Sequence, residues 1–244
     1  MSDPISKYYE THYSKLALTE HMKHRIDLTI KNIKRHSVNA GISKVLEIGC
    51  GTGENLKKIK ELFNVPDAIG IEISAEAVKK LNERGIKGIV ADVNRDSLPL
   101  DDNTIDIVLF QEVIEHLYNS DLIMTEIRRV LKPKGLLILS TPNLASWTNR
   151  VALLFGFQPF SHDVSFISGF GRMILKEGSN GHIKSFTKRA LLEYIRYFGF
   201  EIIGCKGVIA DGVDNPLFRT LDKIFSRFSS FASHIFVVAR KAGD

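Results

Sequence analysis

The stretch VLEIGCGTGENL, residues 45–56, decides the fold. An apolar run ends in three alternating glycines, Gly49, Gly51 and Gly53, and a helix-like segment follows at once. Glycine permits backbone angles and close approaches that a Cβ would block, so this is a strand, a tight turn and a helix with room for a ligand against the main chain. In an open parallel sheet, ligands bind beyond the carboxyl ends of the strands, which is where the turn falls. The spacing is G-x-G-x-G, not the G-x-G-x-x-G of the dinucleotide fingerprint. Glu47 stands two residues before the first glycine. There it would repel a pyrophosphate and attract an ammonium group.

Two further acids close the next strands. Glu72 ends AIGIE, 23 residues beyond Gly49, where a carboxylate accepting two hydrogen bonds would grip a ribose diol. Asp92 ends IVAD. Three acids at successive strand ends, with no phosphate-binding lysine, describe a ligand with a ribose, an amine-bearing tail and no phosphates. S-adenosylmethionine fits that description better than NAD.

Outward from the turn, short β-branched runs alternate with helix-like runs. KVLEIG, AIGIEI, IKGIVAD, DIVLFQ and LLILSTPN read as strands. ENLKKIKELF, SAEAVKKLNERG (N-cap Ser74, stop Gly85) and SDLIMTEIRRVLKPKG (ended by Pro133 and Gly135) read as helices. Strands apolar on both faces, alternating with helices, require a parallel sheet covered on both sides. The regularity breaks after the fifth strand. Residues 144–181, rich in Gly, Pro, Ser and aromatics, are too long for a simple connection and read as an inserted cap over the ligand edge. A helix, SFTKRALLEYIRYFGF, and a strand, EIIGCKGVIA, then follow. DGVDNPLFRTLDKIFSRFSSFA reads as an amphipathic helix and SHIFVVARK as the last strand. Residues 1–40 form a preamble containing the helical TEHMKHRIDLTIKNIKRH. The organisation is thus a lid (1–40), a ligand-binding domain (41–143 and 182–244) and the cap (144–181).

The 244 residues suffice for one substantial core, and 44% hydrophobic with 25% charged residues excludes a disordered chain. Lys and Arg exceed Asp and Glu by 33 to 28, but the basic residues are scattered, so a nucleic-acid or anionic-membrane partner is allowed and not indicated. Two cysteines, Cys50 and Cys205, no signal-peptide pattern at the start and no apolar run of membrane-spanning length point to a cytoplasmic protein with free thiols. Cys50 has no basic neighbour in sequence to activate it. It reads as a small side chain filling a crowded turn.

On VLEIGCGTG, IGIEIS, ADV, FQEVIEHL, VLKPKGLLILSTPN and GHIKSFTKRALLEYIRYFGFE, in that order, the chain resembles the class I S-adenosylmethionine-dependent methyltransferases. Within them it resembles the broad group that includes the ubiquinone-biosynthesis O-methyltransferases. The resemblance covers roughly residues 40 to 205. It implies a Rossmann-like, doubly wound, mostly parallel seven-stranded sheet with helices on both faces and an antiparallel last strand. It also implies roles. Glu47 and the turn backbone (Gly49, Cys50, Gly51, Gly53) would face the methionine part of S-adenosylmethionine. Glu72 would hold the ribose with Ile73 against the adenine, Asp92 would bond the adenine amino group with Val93 beside it, and Gln111 would lie near the sulfonium.

Methyl transfer to oxygen or nitrogen also needs a proton acceptor, and histidine suits neutral pH. His116 and His182 are the candidate bases, against the plainer readings that EHL opens a helix and that His182 anchors the cap. Glu112, Glu115 and His116 would share one face if helical, and with His182 would resemble the metal site of small-RNA 2′-O-methyltransferases. The same residues are widespread among relatives not known to need metal, so no metal is assigned. Tyr8, Tyr9, His12 and Tyr13 resemble a mobile lid. Aromatics of the cap, Trp147 and Phe155 among them, would suit a lipid or flat aromatic acceptor, whereas Arg150, His162 and Arg172 would suit an acidic one. The expected reaction is methylation of an oxygen, less readily a nitrogen, of a small-molecule or lipid-linked acceptor. DNA is not expected as substrate, because no Asn-Pro-Pro-Tyr element follows the fourth strand. The alternatives are a metal-assisted RNA ribose methyltransferase and a non-catalytic cofactor-binding subunit.

Overall fold

The computed structural model describes residues 20–37, 41–173, 179–210 and 215–243. Its strands are β1 (Lys44–Ile48), β2 (Asp67–Glu72), β3 (Lys87–Val90), β4 (Ile105–Gln111), β5 (Leu131–Pro142), β6 (Phe200–Val208) and β7 (His234–Lys241). They form one sheet in the order β3-β2-β1-β4-β5-β7-β6. The first five run parallel, and β7 is antiparallel to both β5 and β6. The strand order reverses between β1 and β4, which opens a crevice at their carboxyl ends.

Helices α1 (Glu20–Ser37), α2 (Glu54–Phe63) and α3 (Ala75–Glu83) bury Ile33, Leu56, Ile59 and Leu81 in one core, together with Ile107 and Leu109 of β4. On the opposite face, α4 (Ser120–Val130) and α6 (Lys188–Tyr197) bury Ile123, Ile127, Leu191 and Ile195 with Val108 and Phe110 of the same strand. Successive β4 side chains thus alternate between two cores, as a two-residue period requires. Each fully buried Leu, Ile or Phe contributes roughly 1.5–3 kcal/mol. Both expected helix signals around α3 are present: Ser74 Oγ accepts from Ala77 N, and Gly85 closes the helix at φ 73°.

Two features depart from the sequence expectation. Helix α4 ends at Val130, not at Pro133 and Gly135. Its last carbonyls, from Arg129 and Val130, accept from Asn103 and Thr104 N, and Leu131 pairs at once with Ile105. Residues 132–135 bulge out before pairing resumes at Leu136, with Lys134 at φ 64°. Second, the cap is not wholly irregular: α5 spans Trp147–Leu154, N-capped by Ser146. Helix α1 is docked on the domain, with Ile26, Thr29 and Ile33 buried. The lid residues Tyr8, Tyr9, His12 and Tyr13 lie outside the described residues. Helix α7 (Pro216–Phe225) packs Phe218 and Phe225 against Trp147, whose Nε1 donates to the buried Asp222. No helix among the described residues is long and apolar enough to cross a membrane.

Candidate functional site

The glycine turn after β1 is set by backbone geometry. Gly49 has φ 68° and Gly53 φ 80°, a region that L residues rarely adopt. A Cβ at either would also collide, with Val113 at the first and with Leu81 at the second. The turn is tied to β2, because Gly49 N and Cys50 N donate to Ile71 O, and Gly51 N donates to Glu72 Oε2 at 3.0 Å. The other oxygen of Glu72 accepts from Ile73 N (2.8 Å) and Ser74 N (3.3 Å). Glu72 is therefore buried at its strand end with its carboxylate oriented from both sides.

Glu47 is also buried. Its Oε1 accepts from Asn55 Nδ2 at 2.8 Å, while Oε2 is buried and makes no hydrogen bond. Burial raises its pKa to about 7, opposed by the Asn55 bond and the charge of Arg25. The same Asn55 Nδ2 donates to Gln111 Oε1 at 3.2 Å, and Gln111 Nε2 donates to Thr29 Oγ1 of α1 at 3.1 Å. β1, α2, β4 and α1 thus meet at one polar point. Asn55 and Thr29 escaped the sequence reading. The only signal for Asn55 was its place in the first turn of the helix after the glycines, where an amide can reach back to the preceding strand end.

Asp92 lies in the turn after β3, where Oδ1 accepts from Asn94 N at 3.0 Å and Oδ2 lies 3.4 Å from Arg95 Nε. Val93 is buried beside it and Ile73 is half-buried. Burial, then the charges of Glu47 and Glu72, push the Cys50 thiol well above its ordinary range, which suits a packing role and not a nucleophile.

Beyond β4 the segment expected to be one helical face is a single 3₁₀ turn, Ile114–His116. Glu112 consequently points elsewhere. At φ 56° its carboxylate accepts from Ser140 Oγ at 2.6 Å and pairs with Arg25 Nη1 (3.5 Å) and His234 Nε2 (3.4 Å). Arg25, Ser140 and His234 were not foreseen, since each comes from a distant part of the chain.

Glu115, His116 and His182 do converge. One donor atom from each lies within 4.8 Å of the others, and the two imidazoles are 4.9 Å apart, centre to centre. Glu115 Oε2 accepts from Thr141 Oγ1 (2.9 Å), whereas Oε1 is buried without a hydrogen bond. Burial, then the charge of Glu112, raises its pKa well above the carboxylate range. Its main-chain carbonyl accepts from Ile183 N and Lys184 N, so the segment leaving the cap is fixed just beyond the end of β4. His116 Nδ1 lies 3.1 Å from Gly181 O. A carbonyl only accepts, so this contact calls for a proton on Nδ1, and Nε2 lies 3.9 Å from Glu115 Oε1. His182 differs: burial, then the charge of His116, lowers its pKa to about 3, and its Nδ1 is buried without a hydrogen bond.

This strand order, with a glycine turn and buried acids at the crevice, defines a nucleoside-binding α/β enzyme of the Rossmann-like class. A methyltransferase-domain family model matches residues 18–204, and the chain belongs to that family: it is an S-adenosylmethionine-dependent methyltransferase. A probable S-adenosylmethionine-dependent methyltransferase of Mycobacterium tuberculosis is 34% identical over 48% of this chain and 45% of its own length. The ubiquinone biosynthesis O-methyltransferase of Rickettsia bellii is 32% identical over 49% of this chain and 50% of its own. The chain thus matches about half the length of these two relatives. Among solved structures, the N-methyltransferase NodS of Bradyrhizobium japonicum, in complex with S-adenosylhomocysteine, aligns over 99% of this chain and 100% of its own. At TM-score 0.61 and 12% identity the likeness is one of fold.

Proposed function

We propose that the enzyme methylates an oxygen, less readily a nitrogen, of a small-molecule or lipid-linked acceptor, with His116 as the general base. The observation that carries this is the 3.1 Å contact of His116 Nδ1 with Gly181 O. With Nδ1–H committed to Gly181 O, Nε2 lies 3.9 Å from Glu115 Oε1 just beyond the end of β4 and would be the nitrogen that takes a proton. When bound, S-adenosylmethionine supplies an electrophilic methyl group whose bond to sulfur breaks with the electron pair going to sulfur. His116 Nε2 takes the proton that the acceptor O–H loses as its oxygen attacks, and Glu115 stands beside the imidazolium that forms. His182, held neutral by burial, is a weak base and serves to pack and position the pair.

In the same reading, the unpartnered Oε2 of Glu47 receives the cofactor ammonium and Glu72 receives the ribose hydroxyls. Ile73 and Val93 flank the adenine, Asp92 takes its amino group, and Gln111 lies by the sulfonium. The backbone of Gly49, Cys50, Gly51 and Gly53 lines the methionine side. The fit rests on the orphaned Glu47 oxygen and on the turn that a Cβ would fill. Residues 144–173 and 179–181 would cap the acceptor side. The test is formation of S-adenosylhomocysteine with a panel of phenols, catechols and their prenylated forms. His116→Gln lowers kcat by about 10² or more while leaving cofactor binding within a few-fold.

A second reading is favoured by one observation, the two orphaned donor atoms in the cluster, Glu115 Oε1 and His182 Nδ1. One carboxylate and two neutral imidazoles fit a divalent cation. Such an ion would polarise the acceptor oxygen, as an RNA ribose methyltransferase would need. Exhaustive chelation that abolishes turnover, with recovery on magnesium or manganese, selects this reading.

A further inference from the structure

A line of hydrogen bonds runs from α1 to the carboxylate of Glu47. Thr29 Oγ1 donates to Arg25 O at 2.9 Å and accepts from Gln111 Nε2 at 3.1 Å. Gln111 Oε1 accepts from Asn55 Nδ2 at 3.2 Å, and the same Nδ2 donates to Glu47 Oε1 at 2.8 Å. Thr29, Gln111, Asn55 and Glu47 are all buried. The two ends of this line call for one orientation of the Asn55 amide. A main-chain carbonyl only accepts, so the contact with Arg25 O takes the Thr29 hydroxyl proton and leaves a lone pair for the Gln111 amide. Gln111 then turns its own oxygen toward Asn55. At the other end an ionised carboxylate only accepts, so Glu47 likewise asks for Nδ2. Nδ2 carries two protons and meets both demands.

One atom of Asn55 is left over. Its Oδ1 is buried and makes no hydrogen bond, and Glu47 Oε2 is in the same condition. Buried acceptors are ordinarily satisfied, so two of them on one hydrogen-bonded pair need an explanation. Helix formation does not supply it. Asn is a poor helix former, and its usual service at a helix start is to cap the first N–H groups. Here the N-cap position belongs to Gly53, and the Asn55 amide reaches across to β1 and β4 instead. What the pair lacks is a group that donates in more than one direction. On the methionine side of the cofactor the ammonium has three N–H donors, whereas the sulfonium and the carboxylate have none.

We propose that Asn55 Oδ1 is a second acceptor for the cofactor ammonium, beside Glu47 Oε2, and that Thr29 of α1 is the positioning residue that sets its orientation. The inference rests on the reading of Glu47 and the glycine turn as the methionine side of the cofactor site. It is tested by calorimetric titration of the full-length protein with S-adenosylhomocysteine and with its desamino analogue, which keeps the adenine, ribose, thioether and carboxylate and lacks the ammonium. The parent binds the analogue about tenfold or more weaker. Thr29→Val, of the same shape without the hydroxyl, weakens S-adenosylhomocysteine about fivefold or more and leaves the analogue within about twofold, and Thr29→Ser restores the parent affinity. Asn55→Leu weakens S-adenosylhomocysteine about tenfold or more and spares the analogue in the same way. A purely structural role would weaken both ligands together. Equal loss of the two ligands in either variant, or parent-like binding of S-adenosylhomocysteine by either, overturns the inference and leaves the cofactor reading in place. Failure of the parent itself to bind S-adenosylhomocysteine removes that reading, and the inference with it. If Asn55→Leu does not fold, the contrast between Thr29→Val and Thr29→Ser decides alone.

Discussion

His116 and His182 stand 4.9 Å apart, ring centre to ring centre, yet differ in what they can do with a proton. Burial, then the charge of His116, lowers the pKa of His182 to about 3. A group ionising that low is unprotonated throughout the working range and shows no titration near neutrality. An acid limb of the rate near neutrality therefore does not come from His182. That limb persists in His182→Gln and is absent, with kcat lower by about 10² or more, in His116→Gln. Pre-steady-state rates across pH check both.

Glu47 couples cofactor binding to pH. Its folded pKa of about 7 lies above the ordinary 4.5, so the folded chain holds this proton more tightly than the unfolded one. The stability that goes with the protonated form is complete below about pH 4.5 and is lost as pH rises through about 7, by up to about 3 kcal/mol. Glu47→Gln, neutral and of the same shape, removes this slope and melts above the parent at pH 8. An ammonium ligand selects the ionised form, so its affinity rises between about pH 6 and 8 in the parent and is flat in the variant.

The glycine turn tolerates no side chain. Gly53→Ala puts an L residue at φ 80° and a methyl group into Leu81. A loss of about 2 kcal/mol or more is expected by urea unfolding, with cofactor affinity falling in parallel.

The cap is held by a buried charge pair. Asp163 pairs with Arg172, at side-chain exposures of 3% and 2%, and also accepts from Asn180 N and His182 N. Removing one partner leaves the other charge buried and alone, at about 3–5 kcal/mol. Arg172→Ala should open residues 155–173 to limited proteolysis ahead of the sheet, and should lower kcat through His182 without raising the cofactor Kd more than a few-fold.

Much of this was legible in the sequence because the signals were local. The alternation of strands and helices, the glycine spacing, Ser74 and Gly85 each depend on a few neighbouring residues. The strand ends bearing Glu47, Glu72 and Gln111 follow directly from that alternation. What was not legible depends on long-range meetings. Glu112 shares a face with Glu115 and His116 only if its segment is helical, and its left-handed backbone sends it to Arg25, Ser140 and His234. The end of α4 was misplaced because Pro133 and Gly135 are usual helix stops, whereas pairing of Leu131 with Ile105 begins the strand two residues earlier. Helix α5 hid among aromatics that also suit a loop. Neither the contact of His116 with Gly181 nor the orphaned oxygen of Glu47 can be read without coordinates.

The most direct test of the site is calorimetric titration of the metal-stripped protein with S-adenosylhomocysteine, alongside Glu47→Gln and with NADH as control. Micromolar binding to the parent, a loss of about tenfold or more in Glu47→Gln and no uptake of NADH are the predicted results. Equal binding by parent and variant, or binding of NADH in place of S-adenosylhomocysteine, would contradict the assignment of the Glu47 oxygen and the glycine turn to the cofactor.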